Sequence, residues 1–279
     1  MKSILLEMEK TSVRAESDRM DDSEAPFLLR DVDFRIEAAE WVSVIGMNGS
    51  GKSTFAKLAA GFRVGRVTGS IVRGETIREG LSPIVMQQPE ASMVGSTPLE
   101  DVVMLLEQHG APGEQIVERA ERVLEQSGMG DRLHQPVGTL SGGQKQLTAI
   151  AGATAVLPHL LIMDEATSML DPEASKAVID SARRLHRSGA AVMWVTQRLE
   201  ELNRMDRLIV LREGRIAFDG KAERFYERNS LNEEGSSVCE RLGFEPSYTI
   251  RVSWELQRLG CLTGPIPFTA EELAEAVRR

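Results

Sequence analysis

Trp41-Val42-Ser43-Val44-Ile45-Gly46-Met47-Asn48-Gly49-Ser50-Gly51-Lys52-Ser53-Thr54 is the stretch that decides the fold. It opens as a compact apolar run, suited to a buried strand, and passes directly into glycines. From Gly46 to Ser53 the order fits G-x-x-x-x-G-K-[ST] in full. Each residue type has a physical reason. Glycines let backbone N–H groups crowd around phosphates with no Cβ in the way. Lys52 to Ala60 has helical composition, and a helix beginning there aims its positive end at the same anion. Lys52 is placed for the β- and γ-phosphates of a nucleoside triphosphate, and the Ser53 hydroxyl for Mg²⁺. The expected nucleotide-binding set is Gly46, Met47, Asn48, Gly49, Ser50, Gly51, Lys52, Ser53 and Thr54. A glycine-rich turn ending by chance in Lys-Ser is the bland alternative; a strand before it and a helix after it argue against that.

Downstream, Leu160 to Met163 is a short apolar run ending in Asp164-Glu165, the pattern of a buried parallel strand. A carboxylate at the end of such a strand suits Mg²⁺, which points to Asp164. Glu165 then falls near the γ-phosphate, placed to orient or deprotonate an attacking water. Leu140-Ser141-Gly142-Gly143-Gln144 is a second polar, glycine-bearing helix start. Free N–H groups and the helix dipole make it another anion site, although a plain helix cap would read the same way.

The rest of the chain alternates strands with helices. Ile4 to Met8 reads as a short strand, and Val32, Phe34 and Ile36 alternate with charged residues as a half-buried one. Ile71 to Ile77 reads as a hairpin around Gly74, and Ile84 to Met86 as a short strand. Leu99, Val102, Val103 and Leu106 form one helical face, and Ile116, Ala120, Val123 and Leu124 another, separated by Ala111-Pro112-Gly113. Asp171-Pro172 opens a helix that runs to Arg187. Ala191 to Val195 and Leu208 to Leu211 are further buried strands. Together these predict an α/β core with a largely parallel sheet. Glu16 to Ala25 reads as an acidic mobile loop and Ser230 to Ser237 as a linker. Beyond the linker come an amphipathic stretch from Val252 to Leu259 and a last helix from Glu271.

Composition narrows the function classes. Of 279 residues, 42% are apolar and 27% charged, and the formal net charge is −9, which suits a folded soluble domain. Nucleic-acid binders carry a basic balance or stripe, whereas here Arg183, Arg184 and Arg187 are a short cluster mixed with acids. No nucleic-acid partner is expected. The two cysteines, Cys239 and Cys261, have no CxxC spacing and offer no metal site; a disulfide between them is not expected. The N-terminal residues lack the apolar core of a secretory signal. No stretch approaches the roughly 20 apolar residues that a membrane-crossing helix needs. Service to a membrane would therefore require docking on another chain.

With Leu140-Ser141-Gly142-Gly143-Gln144 beside the two other motifs, the chain resembles the ATP-binding-cassette transporter ATPases, whose hallmark is that segment. The resemblance implies a P-loop NTPase core with antiparallel β and helical subdomains, ATP and Mg²⁺ as cofactors, and ATP hydrolysis. It also implies a dimer in which Leu140 to Gln144 caps the partner's γ-phosphate. Gln87, in Val85-Met86-Gln87-Gln88-Pro89-Glu90, resembles the family's glutamine that touches Mg²⁺ and water; Gln88 is the alternative. Ser168-Met169-Leu170-Asp171 resembles the dimer-contact loop, and about Pro89 to Leu157 the helical subdomain. Two departures stand out. Where relatives carry a histidine against the γ-phosphate, this chain has Val195-Thr196-Gln197. An amide donates a hydrogen bond but neither becomes a cation nor shuttles a proton, so slow turnover, or mainly binding, is expected at this chain's own site. Where relatives stack adenine on an aromatic residue, this chain has Ser12-Val13-Arg14-Ala15, leaving Val13 or the Arg14 guanidinium for the base.

Asp164-Glu165-Ala166-Thr167-Ser168-Met169-Leu170-Asp171-Pro172 is similar in wording to the A components of energy-coupling factor (ECF) transporters, importers of vitamins and metal ions. The tail agrees: Arg241 to Pro246, Trp254 to Gly260 and Thr269 to Leu273 resemble their small C-terminal domain. The implied domains are 1–228, the ATPase, and 229–279, the C-terminal domain. Implied partners are a second ATPase, a membrane-spanning scaffold protein and an exchangeable substrate-binding membrane protein, at the cytoplasmic face of the cell membrane. The other classes to weigh are a nucleotide-binding regulatory or low-turnover subunit, and a non-transport cassette protein of DNA repair or translation.

Overall fold

A computed structural model describes residues 3–16, 25–77, 80–87, 93–228 and 236–278. The acidic stretch expected as a loop lies mostly outside the described residues, as do Gln88 and most of the linker. The central sheet has the strand order β5-β6-β7-β3-β8-β9, with ranges β3 Trp41–Gly46, β5 Ile84–Val85, β6 Leu160–Asp164, β7 Ala191–Val195, β8 Arg207–Arg212 and β9 Arg215–Lys221. All pairs are parallel except β8–β9 at the edge. β3, β6 and β7 are buried at every position, which is why they read as unbroken apolar runs: a parallel sheet is covered on both faces. Leu160, Ile162, Ala191 and Met193 point to one core with Phe55 and Ala56 of α1 (Lys52–Ala60). Leu161, Met163, Val192 and Trp194 point to the other, with Val178, Ala182 and Leu185 of α5 (Pro172–Arg187).

A second, antiparallel sheet has the order β2-β1-β4, from β1 (Ile4–Arg14), β2 (Phe27–Glu37) and β4 (Arg66–Arg73). Val32, Phe34 and Ile36 are buried between exposed Asp33 and Arg35, as their alternation predicts. Two expectations need correction. β1 extends well past Met8 to Arg14, through a bulge at Lys10, whose φ is 44°. Ile71 to Ile77 is not a hairpin: Arg73 ends β4 opposite Leu6, and Glu75–Ile77 is a short 3-10 turn. Gly74 marks a close approach rather than a reversal, because a Cβ there would lie 2.3 Å from the Ile4 carbonyl oxygen.

α2 (Pro98–Gln108), α3 (Ile116–Gln126) and α4 (Gly142–Ala155) share a separate core built on Val102, Leu106, Ile116, Ala120, Leu124 and Ala151. The C-terminal elements are α6 (Ala222–Tyr226), α7 (Val238–Arg241), α8 (Tyr248–Arg258) and α9 (Ala270–Val277). Cys239, Ile250 and Trp254 of these helices, with Phe268 between α8 and α9, join one core with Ile45, Leu208, Val210, Phe225 and Tyr226, so the tail is seated on β8 and α6. Both cysteines are free, Cys239 buried and Cys261 exposed. Among the described residues no helix is long and apolar enough to cross a membrane.

Candidate active site

The candidate groups come together at the C-terminal ends of the parallel strands, the usual place for a ligand crevice in an open α/β sheet. Gly46 ends β3 where only glycine fits: a Cβ would lie 2.3 Å from the Ser50 hydroxyl and 2.5 Å from the Leu211 carbonyl oxygen. Gly51 precedes α1 with φ 100°, and its own Cβ would meet the Leu28 carbonyl oxygen at 2.6 Å. The first turn of α1 contains no acidic residue and has no side-chain cap. Its N–H groups are thus left to an anion. Lys52 is only 5% exposed, and its ammonium donates to the carbonyls of Gly46 (2.9 Å) and Met47 (3.3 Å). It also lies 3.5 Å from Glu165 Oε1.

Asp164 ends β6 opposite Val195 of β7, and the Glu165 N–H donates to the Val195 carbonyl at 2.9 Å. Burial pushes the Asp164 carboxyl up, opposed by a hydrogen bond from Ser53; the neighbouring Glu165 raises it further and Lys52 lowers it. Its Oδ1 is buried without a hydrogen-bond partner. A hydroxyl and a carboxylate already in contact, with one carboxylate oxygen unsatisfied, suit Mg²⁺, a hard cation that takes few protein ligands and fills its shell with phosphate and water. Among the described residues no cluster of three or more His, Cys, Asp or Glu side chains could hold a metal ion.

Gln197 follows β7, and its amide Nε2 donates to Glu165 Oε1 at 2.6 Å. Glu165 itself has φ 52°, in the left-handed region that a non-glycine residue enters only under constraint. Gln87 is exposed beyond β5, whose Val85 pairs with Met163, so it stands as far past that pair as Glu165 does. The preceding carbonyl, of Met86, accepts from the fully buried Gln146 amide at 3.1 Å. Sequence reasoning passed over Gln146 because a lone glutamine inside a helix carries no pattern.

Leu140 is buried in the helical core, and Ser141 caps α4. The Ser141 hydroxyl accepts from the Gln144 N–H (3.3 Å), while the Gln144 side chain accepts from the Ser141 N–H (2.9 Å). Gly142 and Gly143 lie beside the loop after Glu165: a Cβ on Gly143 would be 3.5 Å from Leu170. This capping box is the helix cap that the sequence allows, and it occupies only part of the first turn's donors.

Of the two residues expected near a base, Val13 is excluded: it lies within β1 and is fully buried. Arg14 holds its guanidinium 3.8 Å from the ring centroid of Phe27, its partner across the β1–β2 pair. Phe27 is an aromatic group that the linear sequence placed far from Arg14, and only strand register brings the two together.

Residues 29–168 match the ABC transporter family profile. The chain is 34% identical over 261 residues to the energy-coupling factor transporter ATP-binding protein EcfA1 of Geobacillus kaustophilus (strain HTA426), with 91% of each chain covered. Among solved structures, cbiO1 from Clostridium perfringens, described as part of the ABC transporter complex cbiONQ, superimposes with a TM-score of 0.64 at 21% identity, covering 93% of this chain and 98% of that one. A dimeric post-hydrolysis state of the ATP-binding cassette MJ0796, bound to ADP and Pi, gives a TM-score of 0.67 at 23% identity over 78% of this chain and 98% of that one.

Proposed function

Because the chain belongs to the ABC transporter family, as an ATP-binding-cassette ATPase, we propose that it energises a membrane importer of the energy-coupling factor type by closing and reopening as a dimer around ATP. The observation that carries the catalytic assignment is the position of Glu165: its Oε1 sits between the Gln197 amide at 2.6 Å and the Lys52 ammonium at 3.5 Å.

In this assignment the glycine amides of residues 46–51 and the start of α1 bind the phosphates, and Lys52 turns from the loop carbonyls to the β- and γ-oxygens. Ser53 and Asp164 would hold Mg²⁺, with Gln87 at its edge; the ion supplies charge neutralisation on the phosphate oxygens. Glu165 orients the attacking water and accepts its proton. Gln197 holds Glu165 in line and donates a hydrogen bond toward the γ-phosphate. The Arg14 guanidinium, braced on Phe27, is the platform for adenine. Leu140, Ser141, Gly142, Gly143 and Gln144 close over the nucleotide of a second ATPase subunit. A membrane-spanning scaffold protein and an exchangeable substrate-binding membrane protein complete the complex, with this chain peripheral at the cytoplasmic face. Residues 229–279 form its C-terminal domain.

The test is Glu165→Gln in a complex whose partner ATP site has been disabled. Hydrolysis falls by about 100-fold or more, the scale of a lost general base, while Mg²⁺-dependent ATP affinity stays within about twofold. Undiminished hydrolysis refutes the assignment. For the importer, affinity purification recovers membrane-spanning partners; recovery of ribosomes or DNA instead overturns it. One observation favours a second possibility, a low-turnover subunit in a heterodimer: Gln197 stands where a proton-shuttling group would be needed for fast turnover.

A further inference from the structure

Glu201 lies in the 3-10 turn Leu199–Glu201 that follows Gln197, and its side chain is only 3% exposed. Both carboxylate oxygens are used. Oε1 accepts from the Thr167 hydroxyl at 2.7 Å, and Oε2 accepts from the Trp194 indole N–H at 2.9 Å. Arg198 Nε stands 3.7 Å from Oε1. Thr167 and Trp194 are themselves 2% and 1% exposed. A carboxylate this deeply buried is unfavourable unless paired and hydrogen-bonded, and here both of its oxygens have donors.

What the carboxylate does and an apolar group cannot do is tie three pieces of chain to one point. Thr167 sits just after Glu165 in the loop leaving β6, Trp194 lies in β7 just before Gln197, and Glu201 lies just after it. Each catalytic side chain is thus a few bonds from the same anchor. The left-handed backbone of Glu165, φ 52°, needs surroundings that hold it there. A 2.6 Å contact between Gln197 and Glu165 tolerates little relative drift of their two loops.

We propose that Glu201 is a positioning residue, a buried clamp that fixes the loop carrying Glu165 against the segment carrying Gln197 and so sets their catalytic contact. This rests on the assignment of those two residues as catalytic; Glu201 itself touches neither. A clamp of this kind acts on kcat and leaves nucleotide binding alone, because Lys52 and the glycine amides belong to other elements.

The experiment uses the whole transport complex with its partner site disabled, and measures kcat, KM for ATP and thermal unfolding. Thr167→Val removes one arm while keeping shape; Glu201→Leu removes both. Each lowers kcat by about 10- to 100-fold, as expected for a small misplacement of catalytic groups, with KM for ATP within about twofold. Glu201→Gln recovers most of the loss, since its oxygen can accept from Trp194 and its amide can donate to the Thr167 hydroxyl. The Thr167→Val/Glu201→Leu double variant is no slower than Glu201→Leu, because both cut the same connection. A Thr167→Val protein with unaltered kcat overturns the clamp, as does a Glu201→Gln protein as slow as Glu201→Leu. Should Glu201→Leu fail to fold, Thr167→Val decides. Glu165→Gln in the same assay separates the two levels: if it leaves kcat intact, the catalytic assignment itself is wrong; if it lowers kcat while Thr167→Val does not, only the clamp is wrong.

Discussion

In the proposed site, Gln197 is the one side chain that departs from the histidine the resemblance implies. Its amide donates to Glu165 at 2.6 Å, so it organises the carboxylate without changing charge between pH 5 and 8. The four histidines, His109, His134, His159 and His186, stand elsewhere. Gln197→His would put an imidazole against the same carboxylate. The expected outcome is hydrolysis equal to or above that of the parent, together with a new pH dependence of kcat whose inflection lies near or above the ordinary histidine value of about 6.5, since a neighbouring carboxylate favours the protonated ring. Steady-state rates between pH 5.5 and 8.5 check it. Complete loss of activity would show that the amide has a role that imidazole cannot fill. Most of the site at this scale was legible in the sequence, because glycines, one lysine and paired carboxylates at strand ends have few alternative uses in that order. The Phe27–Arg14 stack and the Gln146 contact were not, since each depends on which strand or loop arrives from a distant part of the chain.

Among the elements, legibility followed burial. β3, β6 and β7 were readable because each is buried at every position, and α1 because a glycine with φ 100° and a lysine mark its start. β4 carries no signature of its own because most of its residues are exposed, so that no periodicity separates it from a local hairpin; its partner, β1, lies more than fifty residues away. β9 escaped for a similar reason, as an edge strand with alternating partial burial. Gly74 is where the two arrangements differ. At the tip of an exposed hairpin a Cβ would point into solvent. Since a Cβ would instead come within 2.3 Å of the Ile4 carbonyl oxygen, β1 and the turn after β4 must separate to admit it. Gly74→Ala is expected to lower stability by about 1–3 kcal/mol, the usual scale of overpacking, read as a lower urea midpoint with an unchanged slope. A midpoint equal to that of the parent would mean that the approach is looser than 2.3 Å implies.

Over the whole molecule, the tail is held to the ATPase core by apolar packing, by the Arg204–Glu272 ion pair at 3.0 Å and by a polar junction that spans the linker. Arg228, just before residues 229–235, places its guanidinium 3.8 Å over the Trp254 ring, and the Trp254 indole donates to the Tyr226 carbonyl at 3.0 Å. The same guanidinium donates to Glu240 of α7, whose carboxylate also accepts from the Ser237 N–H at 2.8 Å. The Arg228 contact, ahead of the Ser237 bonds, lowers the Glu240 carboxyl from 4.5 to about 2. A carboxyl whose pKa is depressed on folding binds fewer protons in the folded than in the unfolded state between those two values. Its stabilisation is therefore complete above about 4.5 and is lost as the pH falls toward about 2. Glu240→Gln should then unfold at lower urea than the parent at pH 7, and the gap should narrow at pH 4 and narrow further at pH 3. Both groups are partly exposed, so solvent and salt weaken the pair, and 1 M salt should shrink the gap at pH 7 as well. A gap of constant size from pH 7 to pH 3 would mean that Glu240 acts through its neutral cap on α7 alone, leaving the tail attached by the apolar contacts of Trp254, Ile250 and Phe268, the Trp254–Tyr226 hydrogen bond and the Arg204–Glu272 pair.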